Sequence, residues 1–324
     1  VIDAWKASDP TSSWSVVDSE TSAGIAVQYF DVVQEGDTLH IAKLSGVGAS
    51  TVLSYVTFDM STDSFDILEV FLGSYDPSTS AGTPVYSCSI AVRPGTDIVV
   101  LYNGPRVSSM GNSYSRIVYA RRTGVATWVT NVAVDSGGTV DGRHPFVLVG
   151  SAGRVHFFYK ENSNFNTFSR TLRSDNSLST AISSSNGGTF LTGHGGVSYD
   201  DAGTQRILVA YTSSVNTLVT QRYDSSDSPS FTQAGGLGGS SNVDEPIRPF
   251  ADPNGDIHFT SLGDVTGAQD IWLITSTDDG ATGSSPVNIF TATITSSVDT
   301  MARRGSVYIQ GGNYVIPYIA NDAG

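Results

Sequence analysis

The chain has 324 residues, a formal net charge of -14 and only three lysines, Lys6, Lys43 and Lys160. Such a mean field repels a phosphate backbone, which excludes nucleic acid as a partner. Hydrophobic residues make up 39% of the chain, enough for a core, and no run approaches the roughly 18 apolar residues of a membrane span, so a soluble chain without membrane insertion is expected.

Short runs rich in Val, Ile, Tyr and Phe alternate with Gly, Ser, Thr and Asp, and no apolar stripe at helical spacing persists for three turns. That pattern predicts an all-β fold. The length suits two ordinary domains, yet all-β barrels and propellers run this long as one unit, and one domain over 1–324 is expected. The sequence begins at Val1 without a signal-like apolar segment, which fits a processed product, a domain of a longer protein or a chain begun at its first ordered residue. It contains no N-x-[ST] acceptor.

The first predicted strands are Asp3-Ala4-Trp5 and Ser12-Ser13-Trp14-Ser15-Val16-Val17. A repeat of roughly 50 to 60 residues follows, a period in the range of propeller blades. Gly36-Asp37-Thr38-Leu39-His40-Ile41, Gly153-Arg154-Val155-His156-Phe157 and Gly255-Asp256-Ile257-His258-Phe259 share a turn glycine, an alternating strand start and one histidine column. The column continues through Val99, Leu208 and Val315, which makes six repeats. Each repeat reads as a four-stranded meander, with a preceding strand such as Pro145-Phe146-Val147-Leu148-Val149. Cys88, the single cysteine, lies in the alternating run Tyr86-Ser87-Cys88-Ser89-Ile90 and is expected to be a buried, inert thiol. In Asp252-Pro253-Asn254-Gly255-Asp256 the acidic residues are read as turn formers, because the ligand pattern of a calcium loop is missing. The last repeat has room for only one strand after Val315. The N-terminal strands resemble the outer strands Asp270-Ile271-Trp272 and Ser285-Pro286-Val287-Asn288-Ile289, so they are expected to complete a sixth blade and close a six-bladed β-propeller of four-stranded antiparallel blades.

Ser276-Thr277-Asp278-Asp279-Gly280-Ala281-Thr282 resembles the Asp-box of sialidase-type propellers, a Ser-x-Asp-x-Gly-x-Thr hairpin usually followed by Trp. Gly283 stands where that Trp is expected. Weaker echoes are Asp59-Met60-Ser61-Thr62-Asp63-Ser64-Phe65, Asp224-Ser225-Ser226-Asp227-Ser228, Thr123-Gly124-Val125-Ala126-Thr127-Trp128 and Asp9-Pro10-Thr11-Ser12-Ser13-Trp14. The resemblance implies a peripheral turn in which Asp and Ser/Thr side chains bond their own backbone while an aromatic ring plugs the gap to the next blade. It also implies a functional funnel formed by the loops leading into the innermost strands, here 22–25, 83–86, 141–145, 192–196, 244–249 and 299–305.

Those loops carry Asp141, Arg143 and His144; His194; Asp244, Glu245 and Arg248; and Asp299, Arg303 and Arg304. Each alone is also explained as a loop charge or strand cap, but convergence of six loops would gather them around one depression. Glu245-Pro246 with the turn Asn254-Gly255 and Ile257-His258-Phe259 resembles the sialidase segment whose Glu polarises a tyrosine nucleophile. A sialidase would place an arginine where Thr260, Ser261 and Leu262 stand. Arg143, Arg248 and Arg303 or Arg304 could rebuild a carboxylate-gripping trio, with Tyr314 or Tyr318 as nucleophile. His40, His156 and His258 are read as residues packed or hydrogen-bonded between sheets rather than metal ligands, and Trp5, Trp14, Trp128 and Trp272 as packing groups. No metal or cofactor is expected.

The leading expectation is a non-catalytic glycan- or surface-recognition propeller, extracellular, from a secreted protein or a virus-particle appendage. Its expected partner is carbohydrate, an acidic glycan in particular, alongside other subunits of a surface assembly. A sialidase-type glycoside hydrolase is the first alternative and a structural assembly propeller the second.

Overall fold

A computed structural model describes residues 2–6, 15–20, 27–46, 48–76, 87–93, 95, 97–109, 112–135, 142–161, 167–183, 194–201, 203–212, 217–224, 231–239, 248–252, 254–264, 269–285, 287–291, 308–310 and 313–315. Strands β1 (Ile2–Lys6) and β2 (Ser15–Glu20) pair antiparallel. The first four-stranded sheet holds β3 (Val27–Glu35), β4 (Thr38–Ser45), β5 (Thr51–Asp59) and β6 (Ser64–Tyr75). The second holds β7 (Cys88–Arg93), β8 (Asp97–Ser109), β9 (Asn112–Gly124) and β10 (Thr127–Ala133). The third holds β11 (Gly142–Val149), β12 (Val155–Glu161), β13 (Thr167–Leu172) and β14 (Ile182–Ser183). The fourth holds β15 (His194–Asp201), β16 (Thr204–Thr212), β17 (Thr217–Tyr223) and β18 (Phe231–Gly239). The fifth holds β19 (Arg248–Ala251), β20 (Ile257–Asp264), β21 (Gln269–Ser276) and β22 (Val287–Thr291), and β23 (Tyr308–Gln310) pairs with β24 (Asn313–Val315). All five sheets are meanders in which sequence neighbours lie side by side, as the repeat predicts.

The repeat has a physical basis at each hairpin. Gly36, Gly95, Gly153, Gly203 and Gly255 sit between the first and second strands of their sheets, and each has positive φ, which a residue without Cβ adopts at little cost. The column residues then fall on the second strands. His40, Val99, His156, Leu208 and His258 are buried on β4, β8, β12, β16 and β20, while Val315 closes β24.

The chain divides into two compact units, Val1–Val149 with Val155–Ser163 and Leu172–Ala181, and Gly150–Arg154 with Asn164–Thr171 and Ile182–Gly324. In the first unit, Ala42, Leu44, Leu53 and Tyr55 pack against Cys88, Ile90, Val100, Tyr102 and Val118, so the core lies between two sheets. Cys88 is buried there, its thiol facing the Ala42 carbonyl at 3.6 Å. The opposite face of the first sheet carries a smaller cluster of Ile41, Val56 and Phe58. In the second unit, Tyr199, Leu208, Ala210, Leu218 and Leu237 pack against Ile257, Phe259 and Ile274. Each fully closed side chain of this kind contributes about 1.5–3 kcal/mol by leaving water.

Candidate functional site

The innermost strands place several of the candidate residues. Arg143 and His144 are the second and third residues of β11, His194 opens β15 and Arg248 opens β19. All four lie within the first three residues of the strands that open three successive sheets. Within the second unit β15 and β19 pack against one another, which brings the strands of His194 and Arg248 together. Tyr314 is the central residue of β24, in register with Ile309. Glu245, Tyr318, Arg303, Arg304, Asp141, Asp244 and Asp299 lie outside the described residues.

The ladder at the start of β11 is irregular. Arg143 pairs with Lys160 and Phe146 with Phe158, so His144 and Pro145 together oppose Tyr159. This is a β-bulge, a device that redirects a strand and is concentrated beside functional sites, and it tolerates a proline that has no N–H to donate. Lys160 is 5% exposed. Burial pushes its ammonium down to about 8. Sequence reading passed over Lys160 because a lysine after Phe157-Phe158-Tyr159 reads as a strand-end charge; only the register sets it opposite Arg143.

Below this end the inner strands of the first unit are tied through side chains. Asp31 on β3 accepts hydrogen bonds from Ser89 Oγ (2.8 Å) and the Ile90 N–H (3.0 Å), and Ser89 Oγ accepts from the Val147 N–H at 3.2 Å. One carboxylate and one hydroxyl therefore link β3, β7 and β11, which fixes the strands that carry the candidate loops.

Two histidines of the column, His40 and His258, hydrogen-bond side chains on the adjacent strand of their own sheets. His40 Nδ1 meets Tyr55 Oη at 2.7 Å on the adjacent strand, and burial pushes the His40 pKa down despite the nearby Glu35 carboxylate. His258 Nδ1 meets Thr275 Oγ1 at 3.0 Å, and its Nε2 lies 3.5 Å from Asp252 Oδ2. Asp252 Oδ1 accepts from the Asn254 and Asp256 N–H groups at 2.8 and 3.0 Å, the turn-forming role read from sequence. Among the described residues no group of three or more His, Cys, Asp or Glu is arranged to hold a metal.

The turns joining third and fourth strands dock on the preceding sheet. In 276–282, Asp278 Oδ1 accepts from Ser276 Oγ (2.9 Å) and the Thr282 N–H (2.8 Å), while Oδ2 accepts from Thr282 Oγ1 (2.6 Å). Thr220 Oγ1 of β17 donates to the Gly280 carbonyl at 2.5 Å, and Tyr199 Oη of β15 to Asp279 at 3.3 Å. In the second sheet, Trp128 stacks on Phe71 at 4.1 Å and donates to Glu69 at 2.7 Å. In the third, the turn at 173–177 receives Arg93, which donates to Asn176 Oδ1 (2.9 Å) and the Arg173 carbonyl (3.0 Å). These turns are structural fittings away from the candidate loops.

No protein-family model matches the sequence, and no curated protein matches it. Solved structures do. AofleA from Arthrobotrys oligospora is similar at a TM-score of 0.55 and 11% identity, over 86% of this chain and 77% of that one. A protein of unknown function from Dyadobacter fermentans is similar at 0.52 and 10% identity, over 83% and 84%. The Aleuria aurantia lectin, described as a six-bladed β-propeller with a novel fucose recognition mode, follows at 0.45 and 15% identity, over 85% and 84%. At these identities likeness concerns fold alone. The chain is an all-β protein with a β-propeller fold, and its described residues hold five four-stranded antiparallel sheets and a two-stranded pair near each end.

Proposed function

We propose that the chain is a non-catalytic recognition propeller that binds carbohydrate, acidic glycans in particular, through the loops leading into its innermost strands. The observation that carries this reading is the repeated placement of Arg143 with His144, His194 and Arg248 at the start of β11, β15 and β19. A rigid scaffold that holds short loops at equivalent strand ends is the arrangement on which binding residues are generally carried. Guanidinium and imidazole groups suit that position, because they donate to sugar hydroxyls and grip carboxylates or sulfates. An extracellular setting, on a secreted protein or a particle surface, accords with the low lysine content and the Ser-, Thr- and Gly-rich composition. The sialidase-type alternative requires Glu245 and a tyrosine to work as a catalytic pair.

A glycan microarray tests the reading. The wild-type chain is expected to bind a subset of acidic glycans, and Arg248→Ala is expected to weaken that binding by about 1–3 kcal/mol, the size of a lost charge-assisted contact, with unchanged melting. Absence of binding to every sialylated, uronic-acid, sulfated and fucosylated glycan would overturn it. Turnover of a fluorogenic sialoside that Glu245→Gln suppresses by orders of magnitude would replace it with the enzyme.

A further inference from the structure

We propose that the ribbon formed by the far half of β8 and the near half of β9, residues 104–116, is a binding arm that engages an acidic oligosaccharide beyond the sugar held at the start of β11. The inference rests on the glycan-recognition reading and deepens it, because it makes the ligand a chain of sugars and not a single one.

The ribbon follows from the register of the second sheet. Cys88, the first residue of β7, pairs with Tyr102, and the β9–β10 ladder ends at Val118 with Ala133, so β8 and β9 run on together past both neighbours. They stay paired from Arg106 with Ser115 to Ser109 with Asn112. Residues 103–109 carry β8 roughly 20 Å past the start of β7, at about 3.4 Å per residue. β11 runs parallel to β7, with Val147 level with Ser89 and the Arg93 end of β7 at the turn 173–177, and it packs against β8 and β9 in the same unit. The residues that open β11 therefore lie beside the base of the ribbon. Among the described strands the other sheets extend less on this side: β4 and β12 end opposite the first residues of β3 and β11, β16 passes β15 only by Thr212, and β20 passes β19 by 261–264. The base is fixed by three features. Gly104 and Pro105 together oppose Arg116, a bulge that turns the ribbon relative to its sheet. A Cβ at Gly104 would lie 2.5 Å from Val118 Cγ2, so only glycine allows the strands this approach. Arg116 donates through Nε (3.0 Å) and Nη2 (2.6 Å) to Oδ1 of the buried Asp135, whose Oδ2 accepts from the Ile117 N–H at 2.7 Å. A two-stranded hairpin is marginal by itself, and this clamp supplies the order it lacks. The chemistry of the segment fits an anionic sugar. Between Asp97 and Asp135 the chain has no acidic residue and four arginines, Arg106, Arg116, Arg121 and Arg122, although it carries 31 acidic residues in all. A cationic stretch in so acidic a protein favours an anionic ligand. Apart from Val107 and Met110, residues 106–116 are all Arg, Ser, Gly, Asn or Tyr, the types that antibody paratopes use for aromatic contact and adaptable hydrogen bonding. Such groups match sugar hydroxyls together with carboxylates or sulfates.

A microarray that carries each acidic sugar (sialic acid, uronic acid and sulfated hexose) both singly and at the end of an oligosaccharide tests the arm. The wild-type chain is expected to bind the oligosaccharides at least about tenfold more tightly than the single sugars, the size of one added charge-assisted contact. Replacing 106–115 by Asn-Gly, which closes the hairpin with a two-residue turn, should abolish that preference and leave the single sugars bound as before. Arg106→Glu reverses the one charge within 104–115 without shortening the chain, so it reads the arm even where the shortened chain fails to fold. It should weaken the oligosaccharides by about tenfold, and Arg106→Lys should retain them. Equal binding of single sugars and oligosaccharides by wild type, or a preference that survives either change in a folded chain, overturns the proposal while the carbohydrate reading stands. A smaller assembly in light scattering after shortening, with glycan binding unchanged, assigns the ribbon to contacts between copies and also overturns it. Binding of no glycan at all removes both readings.

Discussion

Glu69 on β6 is 8% exposed, yet it accepts hydrogen bonds from Arg122 Nη2 (2.6 Å), Trp128 Nε1 (2.7 Å) and the Ala126 N–H (3.0 Å). Burial alone would raise its pKa; the hydrogen bonds from Arg122, Ala126 and Trp128 outweigh it and hold the carboxyl below its usual range. Glu69→Gln keeps the shape and removes the charge opposite Arg122, so it is expected to cost about 3 kcal/mol, the lower end for breaking a buried pair, as a drop in melting temperature. The sign with pH follows. A carboxylate whose folded pKa is depressed contributes fully above its unfolded pKa, and that contribution is lost as pH falls through the folded value. Acidification below the usual glutamate range should therefore lower the melting temperature of wild type more than that of Glu69→Gln. The turn at 123–128 was legible in sequence as a box-like motif, but Glu69 was not: on an outer strand it reads as solvated until a neighbouring sheet supplies its partners.

At the scale of elements, the turn at 276–282 explains why Gly283 replaces the aromatic residue that the sialidase-type motif carries there. A Cβ at Gly283 would lie 2.9 Å from Ile274 Cγ2 and 3.0 Å from both Leu237 Cβ and the Leu237 carbonyl oxygen. The hairpin sits directly on β18 and its own strand. Gly283→Trp, which restores the motif, is expected to destabilise the protein by about 3 kcal/mol through overpacking; a melting temperature equal to or above wild type would contradict this docking. Asp278→Ala removes three acceptor contacts inside the same turn and should cost about 1 kcal/mol while leaving glycan binding intact. Loss of binding with unchanged melting would make the turn functional. The corresponding turn at 173–177, in which Asp175 accepts from the Ser177 N–H at 2.9 Å, escaped sequence reading because Ser174-Asp175-Asn176-Ser177 lacks the spacing of the motif.

For the whole molecule, the repeat was legible because a glycine with positive φ and a buried second-strand residue recur in every complete sheet, and both are dictated locally. The cross-strand register at Arg143 and Lys160 was not, because a bulge shifts pairing by one residue and no local signal marks it. The expectation that the terminal strands complete one blade predicts that deleting residues 1–20, which also removes β2 from the flank of β6, causes aggregation or a broadened transition; a truncated chain that melts like the parent contradicts it. The central claim is that ligand is held at the loops leading into the innermost strands. Amide hydrogen exchange with and without a bound acidic glycan tests it most directly. The account predicts protection in peptides covering 141–149, 192–201 and 244–251, with the first hairpin turns around Gly36, Gly95, Gly153, Gly203 and Gly255 unchanged. Protection confined to those hairpin turns, or to the fourth strands, would contradict it.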